Sequence, residues 1–340
     1  MEMVDNYMPK LTIAIPNYNG CDNLERCIES CKTVQIPKSD YEILIVDNKS
    51  TDNSINIVNE MQKKFTNIRL VQNEKNLGRI QNWNVCIEKA QGKYLIFLFA
   101  NDLINEKNNI HESLQNLDSD QTISICMSAL LKKEKSRQYI KKAYFDKIIK
   151  CPSKKFALNC LNRGLLPFGP IQSIIYRLDD IMDNKNKFLE EFPINADEIF
   201  SFEEACKREN IAFNPHPQIT WDLTQSRFHG KVKIEEEFKE HSDTIEIIKN
   251  KTNLDVNYGL ISTYRAINLI KFSAKNFQRK NGKKEAITHL LSKIKESGTF
   301  FNTDKILIKT LFDKLKNSDK DADDLLYKSI ITRCVDESNN

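Results

Sequence analysis

A chain of 340 residues is long enough for one large domain or two smaller ones, each with a sizeable core. Its formal charge of +4 is mild and its acidic and basic residues are interspersed, which argues against a nucleic-acid binder. The nine cysteines form no CxxC pair and no metal-finger spacing, so they are expected to be reduced and structural, in a reducing compartment.

The amino terminus, MEMVDNYMPK, lacks the apolar stretch of a signal peptide. No run reaches the roughly 18 apolar residues of a membrane span. The expected location is the cytoplasm, and a membrane-associated substrate would bring the chain to the inner face of the membrane. Residues 11–16, LTIAIP, read as a short strand closed by proline. A helix is expected from Asp22 or Asn23 to about Thr33, with Leu24, Cys27, Ile28 and Cys31 on its inner side. YEILIV (41–46) is a second strand, followed by the polar loop Asp47–Asp52 and a helix bearing Ile55, Val58, Met61 and Phe65. A third strand covers 68–71, a loop 73–78, and a helix 80–90 that stops at Gly92.

The fourth strand, in KYLIFLFANDLIN (93–105), is an apolar run suited to burial on both faces. It ends in Ala100-Asn101-Asp102. Strands alternating with helices argue for βαβ units, and ligands of such sheets bind outside the carboxyl ends of the strands. Asp102 is therefore placed either to hold a hard cation or simply to turn the chain and cap the next helix. Asp47 ends a second apolar strand, so the two acidic loops can line one cleft.

PNYNG, ILIVDNKSTDNS, NEKNLGRIQNWN and GKYLIFLFANDLI occur in that order over residues 11–103. Together they resemble the bacterial family 2 glycosyltransferases of the GT-A fold, which use a nucleotide-sugar donor. The resemblance implies an α/β fold, a Rossmann-like nucleotide-binding sheet with helices on both faces. It puts Pro16, Asn17 and Tyr18 at the nucleotide pocket, Tyr18 being able to stack on a base or to fill a gap beside the sheet. Asp47 matches the acidic residue that accepts from the base, often uracil, with loop capping as its alternative. Arg79 falls in the segment that approaches the nucleotide, and a surface salt bridge is its alternative. Trp83 is expected in the core.

Asp102 matches the last acidic position of the family's metal-binding motif, but Phe99 and Asn101 stand at the two positions before it that are usually acidic. The implied ion is Mn2+ or Mg2+, with the donor diphosphate completing its shell. Further on, residues 123–130 read as a strand and the lysine-rich run 128–144 as exposed. Residues 170–177 resemble the family's strand ending in an aromatic residue and arginine. In PINADEIFSFEE, Asp197 stands at the position of the general base, with Glu198 beside it. Both also suit the first turn of a helix over 199–208. WDLTQSRFHGK (221–231) resembles the closing motif, so Arg227 can bind diphosphate and His229 can ligate the metal or bond the leaving phosphate.

From about residue 234 the pattern becomes helical, at 238–251, 256–272, 284–295, 303–315 and 325–331. The expected organisation is a GT-A domain over 1–232, a helical module over 233–335 and a frayed tail over 336–340. Lysine on the outer helix faces suits either a solvated surface or contact with anionic lipids. The implied activity is inverting transfer of a sugar from a UDP-sugar to a glycan or lipid-linked saccharide acceptor, in surface polysaccharide synthesis. Two alternatives are a catalytically inactive nucleotide-sugar or glycan-binding module, which Asn101 favours, and a nucleotidyltransferase. PNYNG lacks the basic residue expected of a nucleotidyltransferase. The sequence specifies neither the sugar nor the oligomeric state.

Overall fold

The computed structural model describes residues 8–135, 137–142, 144–225, 234–257 and 322–336. The chain divides into two compact units, Met1–Ser153 with Phe168–Thr252, and Lys154–Pro167 with Asn253–Asn340.

In the first unit, β1 (Leu11–Asn17), α1 (Cys21–Ser30), β2 (Tyr41–Asp47), α2 (Ser54–Lys64), β3 (Ile68–Gln72), α3 (Arg79–Lys89) and β4 (Tyr94–Phe97) follow the alternation read from the sequence. β5 (Leu103–Ile104), α4 (Ile110–Ser119), β6 (Ile123–Lys133), β7 (Gln138–Lys141) and β8 (Ile149–Pro152) come next. Helix α5 (Ser153–Leu161) enters the second unit, and the chain returns with β9 (Ile174–Arg177), α6 (Leu178–Asp183), α7 (Ala196–Ala205), β10 (Asn210–Asp222) and α8 (Ile234–Thr252). Helix α9 (Ala322–Asp336) lies in the second unit, where Asn159 of α5 approaches Cys334 of α9.

The sheet runs β3-β2-β1-β4-β9-β6-β10-β5, with β7 added on β6 and β8 on β10. Its first four strands are parallel. β9 is antiparallel to both β4 and β6, and β10 runs parallel to β6. β1, β2, β3, β4, β6 and β10 therefore all present their carboxyl ends at one edge. β2 and β4 are buried along their whole lengths, as the apolar runs require.

One sheet face packs on Leu24, Cys27 and Ile28 of α1, Val58 and Met61 of α2, and Leu114 and Leu117 of α4. The other carries an aromatic stack. Phe188 lies 4.2 Å from Phe200, 5.2 Å from Trp83 and 5.6 Å from Phe97 between ring centroids. Trp83 is thus a core residue. Burying such rings contributes roughly 1.5–3 kcal/mol each.

Gly92 does more than stop α3. A Cβ there would lie 2.5 Å from the Thr12 backbone nitrogen, so only glycine lets the chain enter β4 beside β1. Arg177 is 1% exposed and donates to the carbonyls of Ile123, Leu117 and Asp120, closing the carboxyl end of α4. The run 128–144 is not uniformly exposed: β6 buries Ser128, Ala129 and Leu130, and both Lys142 and Tyr144 are buried. Helix α8 belongs to the first unit, where Glu240 accepts from the backbone of Ile194 and Asn195.

Candidate functional site

The edge formed by the strands' carboxyl ends gathers the loops that carry most of the expected site residues. β1 and β2 end in register, Asn17 beside Asp47. Asn17 Nδ2 donates to Asp47 Oδ1 at 2.8 Å, and the Ser50 hydroxyl donates to the same oxygen. Ser50 N donates to Asp47 Oδ2 at 2.9 Å. Asp47 is 1% exposed. Its carboxylate caps the 47–50 loop with three of its roughly four acceptor positions. Asn17 Oδ1 is buried without a hydrogen-bond partner, against Gly20. Pro16 is half-buried, and Tyr18 is 47% exposed.

An asparagine network behind this pocket was not read from the sequence. Asn48 donates to Asn76 Oδ1 and the Gly78 carbonyl, and it accepts from Asn73 Nδ2 and Leu77 N. Asn73 donates onward to Asn82, which bonds the Val46 carbonyl. These bonds fix the loop before α3 and so aim Arg79, the first residue of that helix. The Arg79 guanidinium donates to the Pro193 carbonyl and lies 5.0 Å from the Trp83 ring centre. It ties the start of α3 to the segment entering α7.

Asp102 follows β4 and is fully buried. Oδ1 accepts from Asp222 N at 3.0 Å and Asn101 Nδ2 at 2.9 Å, and Oδ2 accepts from Gln172 Nε2 at 3.0 Å. The Asp102 carboxyl is pushed up to about 8, chiefly by burial. Asn101 also donates to the Asp222 carbonyl. The Asp222 carboxylate stays below its usual range because hydrogen bonds from Thr224 and Lys133 outweigh the effect of burial.

Segment 168–173 links this corner to the expected base. Gln172 bonds Asp102, while Gly169 N and Phe168 N donate to the two oxygens of Glu198 at 2.6 and 2.9 Å. Lys142 Nζ donates to the Gly169 carbonyl at 2.8 Å and Ser173 Oγ at 3.4 Å. A Cβ on Gly169 would lie 2.8 Å from Glu198 Oε1 and 3.1 Å from Asp197 Oδ2, so this glycine lets the loop lie against both carboxylates. Asp197 and Glu198 open α7. Asp197 is half-buried, and its Oδ1 accepts from Glu198 N at 3.0 Å. Burial raises both carboxyls above their usual range, and the charge of Asp197 raises Glu198 further. Arg79 and Lys142 favour the ionised form of Asp197. Lys142 lies in a lysine-rich run, and only its burial distinguishes it.

The structure thus brings Asn17 and Asp47 together, joins Asn101 to Asp102, and connects Asp102 through 168–173 to Glu198. Arg227 and His229 lie outside the described residues. Among the described residues, no group of three or more His, Cys, Asp or Glu side chains is placed to hold a metal ion.

Residues 12–180 match the family model for glycosyl transferase family 2. A 99-residue stretch is 37% identical to a poly(ribitol-phosphate) beta-glucosyltransferase of Bacillus spizizenii, covering 29% of this chain and 16% of that protein. A 116-residue stretch is 34% identical to a dolichyl N-acetyl-alpha-D-glucosaminyl phosphate 3-beta-D-2,3-diacetamido-2,3-dideoxy-beta-D-glucuronosyltransferase of Methanococcus voltae, covering 33% of this chain and 36% of that protein. The matches therefore span well under two thirds of either relative. The solved structure of S. aureus TarS 1–349 in complex with UDP-GlcNAc aligns with 95% of this chain and 90% of its own, with a TM-score of 0.62 and 18% identity. The fold is the GT-A fold that the sequence motifs imply.

Proposed function

Residues 12–180 belong to glycosyl transferase family 2, and from that membership we propose that the chain is an inverting glycosyltransferase acting on a nucleotide-diphosphate sugar. UDP-sugars are favoured because Asp47 stands at the family position that accepts from a base imide, its register partner Asn17 precedes Tyr18, and Tyr18 is exposed enough to stack on a ring. The proposed acceptor is a hydroxyl of a glycan or lipid-linked saccharide in surface polysaccharide synthesis. The solved TarS complex with UDP-GlcNAc and the two relatives named above, which act on poly(ribitol-phosphate) and on a dolichyl-phosphate saccharide, support this substrate class.

The observation that carries the reading is the position of Asp197. It opens α7, keeps Oδ2 free of any described donor, and faces Gly169 on the segment that also bonds Asp102. Asp197 takes the proton of the acceptor hydroxyl. The hydroxyl oxygen bonds to the anomeric carbon as the bond from that carbon to the diphosphate breaks, and the electron pair leaves with the nucleoside diphosphate. Glu198, spent on two backbone N–H groups, shapes the loop and takes no part in this transfer.

The family motif calls for Mn2+ or Mg2+, and the described donor set does not fit one. Asn101 offers a neutral amide, and Asp102 is fully buried with three of its acceptor positions engaged inside the protein. No step is assigned to a metal. Among the described residues no helix is long and apolar enough to cross a membrane; we place the reaction in the cytoplasm, at the membrane's inner face where the acceptor is lipid-linked. The reading is tested by presenting UDP-, GDP-, CDP- and dTDP-sugars to the full chain, with and without Mn2+, and assaying donor hydrolysis and transfer to phosphopolyol and lipid-linked saccharides. Turnover of a UDP-sugar supports it, and inertness toward every donor favours the binding-only module.

A further inference from the structure

The carboxyl ends of β6 and β10 meet beside the altered motif, with Lys133 and Asp222 as register partners. The Asp222 side chain is 0% exposed and turns one oxygen, Oδ2, toward two cations. Lys133 Nζ lies 3.3 Å from that oxygen and Arg26 Nη1 3.5 Å. Arg26 also reaches the Asn101 carbonyl at 3.4 Å and Asn23 Oδ1 at 3.3 Å. All four contacts lie at the long end of the hydrogen-bond range, so neither cation is tightly committed. The ammonium has further donors, and the side chains are 35% and 42% exposed. One buried carboxylate thus gathers two partly exposed positive charges next to Asn101, where the family motif would place an acidic pair.

We propose that Arg26 and Lys133, aligned on Asp222, bind the diphosphate of the donor directly and supply the positive charge that the altered motif cannot recruit through a metal ion. The proposal rests on the donor reading given above. A site built to hold a divalent cation gathers negative charge and open lone pairs. Here the neutral Asn101, the internally bonded Asp102 and the two cations reverse that balance. The same corner suits phosphate oxygens, since an arginine fork and a lysine point charge both bind them well. Positive charge at the diphosphate favours bond breaking at the anomeric carbon, because charge develops there in the transition state.

The test is calorimetric titration of the full chain in excess EDTA with UDP and with uridine, repeated for Arg26→Met and Lys133→Met. Both side chains are more than a third exposed, and uridine binding is the internal control for the fold. Wild type is expected to bind UDP in EDTA more tightly than uridine. Each variant should lose about 10-fold or more in UDP affinity, the usual scale of a charge-assisted contact, with uridine affinity unchanged. Binding of UDP by wild type only when Mn2+ is restored would overturn this assignment while leaving the donor reading intact. Unchanged UDP affinity in both variants would also overturn it, even if they weakened a phosphate-bearing acceptor. A wild type that binds no nucleoside diphosphate, with or without Mn2+, would overturn the donor reading and this assignment with it.

Discussion

Gln172 Nε2 donates to Asp102 Oδ2 at 3.0 Å, and this bond anchors segment 168–173 to the carboxyl end of β4. The other end of the segment is held by Glu198 through Phe168 N and Gly169 N. Two motifs about 95 residues apart in sequence are therefore braced by one short loop. Displacement of either carboxyl should be felt at the other.

That bracing changes what is expected of Asp102. Its removal leaves Asp222 N, Asn101 Nδ2 and Gln172 Nε2 without their acceptor, so Asp102→Ala should cost about 2–4 kcal/mol by denaturant unfolding. Asp102→Asn should be far milder at pH 7. Burial holds the native carboxyl largely protonated there, so the amide is a close isostere and can donate to the partnerless Gln172 Oε1 after that side chain flips. Equal destabilisation by both substitutions would show that an ionised Asp102 is required.

Asp47 should discriminate between bases. Asp47→Ala should weaken UDP by about 1–3 kcal/mol and release the 47–50 loop, while ADP and CDP bind poorly to both proteins. Equal affinity of wild type for the three nucleotides would remove the imide contact.

Lys142 is expected to set the pH at which Asp197 works. Turnover should rise with pH as Asp197 loses its proton, along a limb above the usual carboxylate range because burial raises that group. Lys142 favours the ionised form, so Lys142→Met should move the limb to higher pH. A variant with lower turnover but an unmoved limb would reduce Lys142 to a support for the Gly169 carbonyl.

Glu204 offers a stability test away from the site. It is 2% exposed, bonded by Asn186 Nδ2 at 2.7 Å, and raised from 4.5 to about 7, mainly by burial. The folded state thus holds the proton more tightly than the unfolded state. Its contribution to stability is full below about pH 4.5 and is lost as pH rises to about 7, by at most about 3 kcal/mol. Glu204→Gln should flatten the fall in melting temperature between pH 5 and 8. An unchanged slope would mean that Glu204 is not responsible.

Strands β1 to β4, β6 and β9 and helices α1 to α3, α7 and α8 were legible because apolar runs and helical spacings there agree with turn chemistry, whereas α4, α6, β5, β7 and β8 were not. Asp47 and Asp102 were legible as strand-end carboxylates, and Asp197 as a helix-opening one. Their surroundings were not. Gln172 bonds Asp102 across 70 positions, and nothing local marks it. Lys142 looks like its exposed neighbours until the fold buries it. Gly92 reads as a helix stop, whereas the approach of Thr12 gives the stronger reason for it. Lys133 meets Asp222 only because β10 returns beside β6, and Arg26 reaches the same carboxylate from α1; both contacts follow from tertiary packing and from no periodicity.

The proposed base is tested most directly by Asp197→Asn, with turnover and UDP affinity measured on the same preparation once a donor and acceptor pair is in hand. The amide keeps the size and most of the capping ability of aspartate at the start of α7. Turnover should fall by about 10²–10⁴-fold, with UDP affinity and melting temperature nearly unchanged. Retained turnover in that variant, or a loss that merely follows weaker UDP binding, would contradict the assignment of Asp197 as the base.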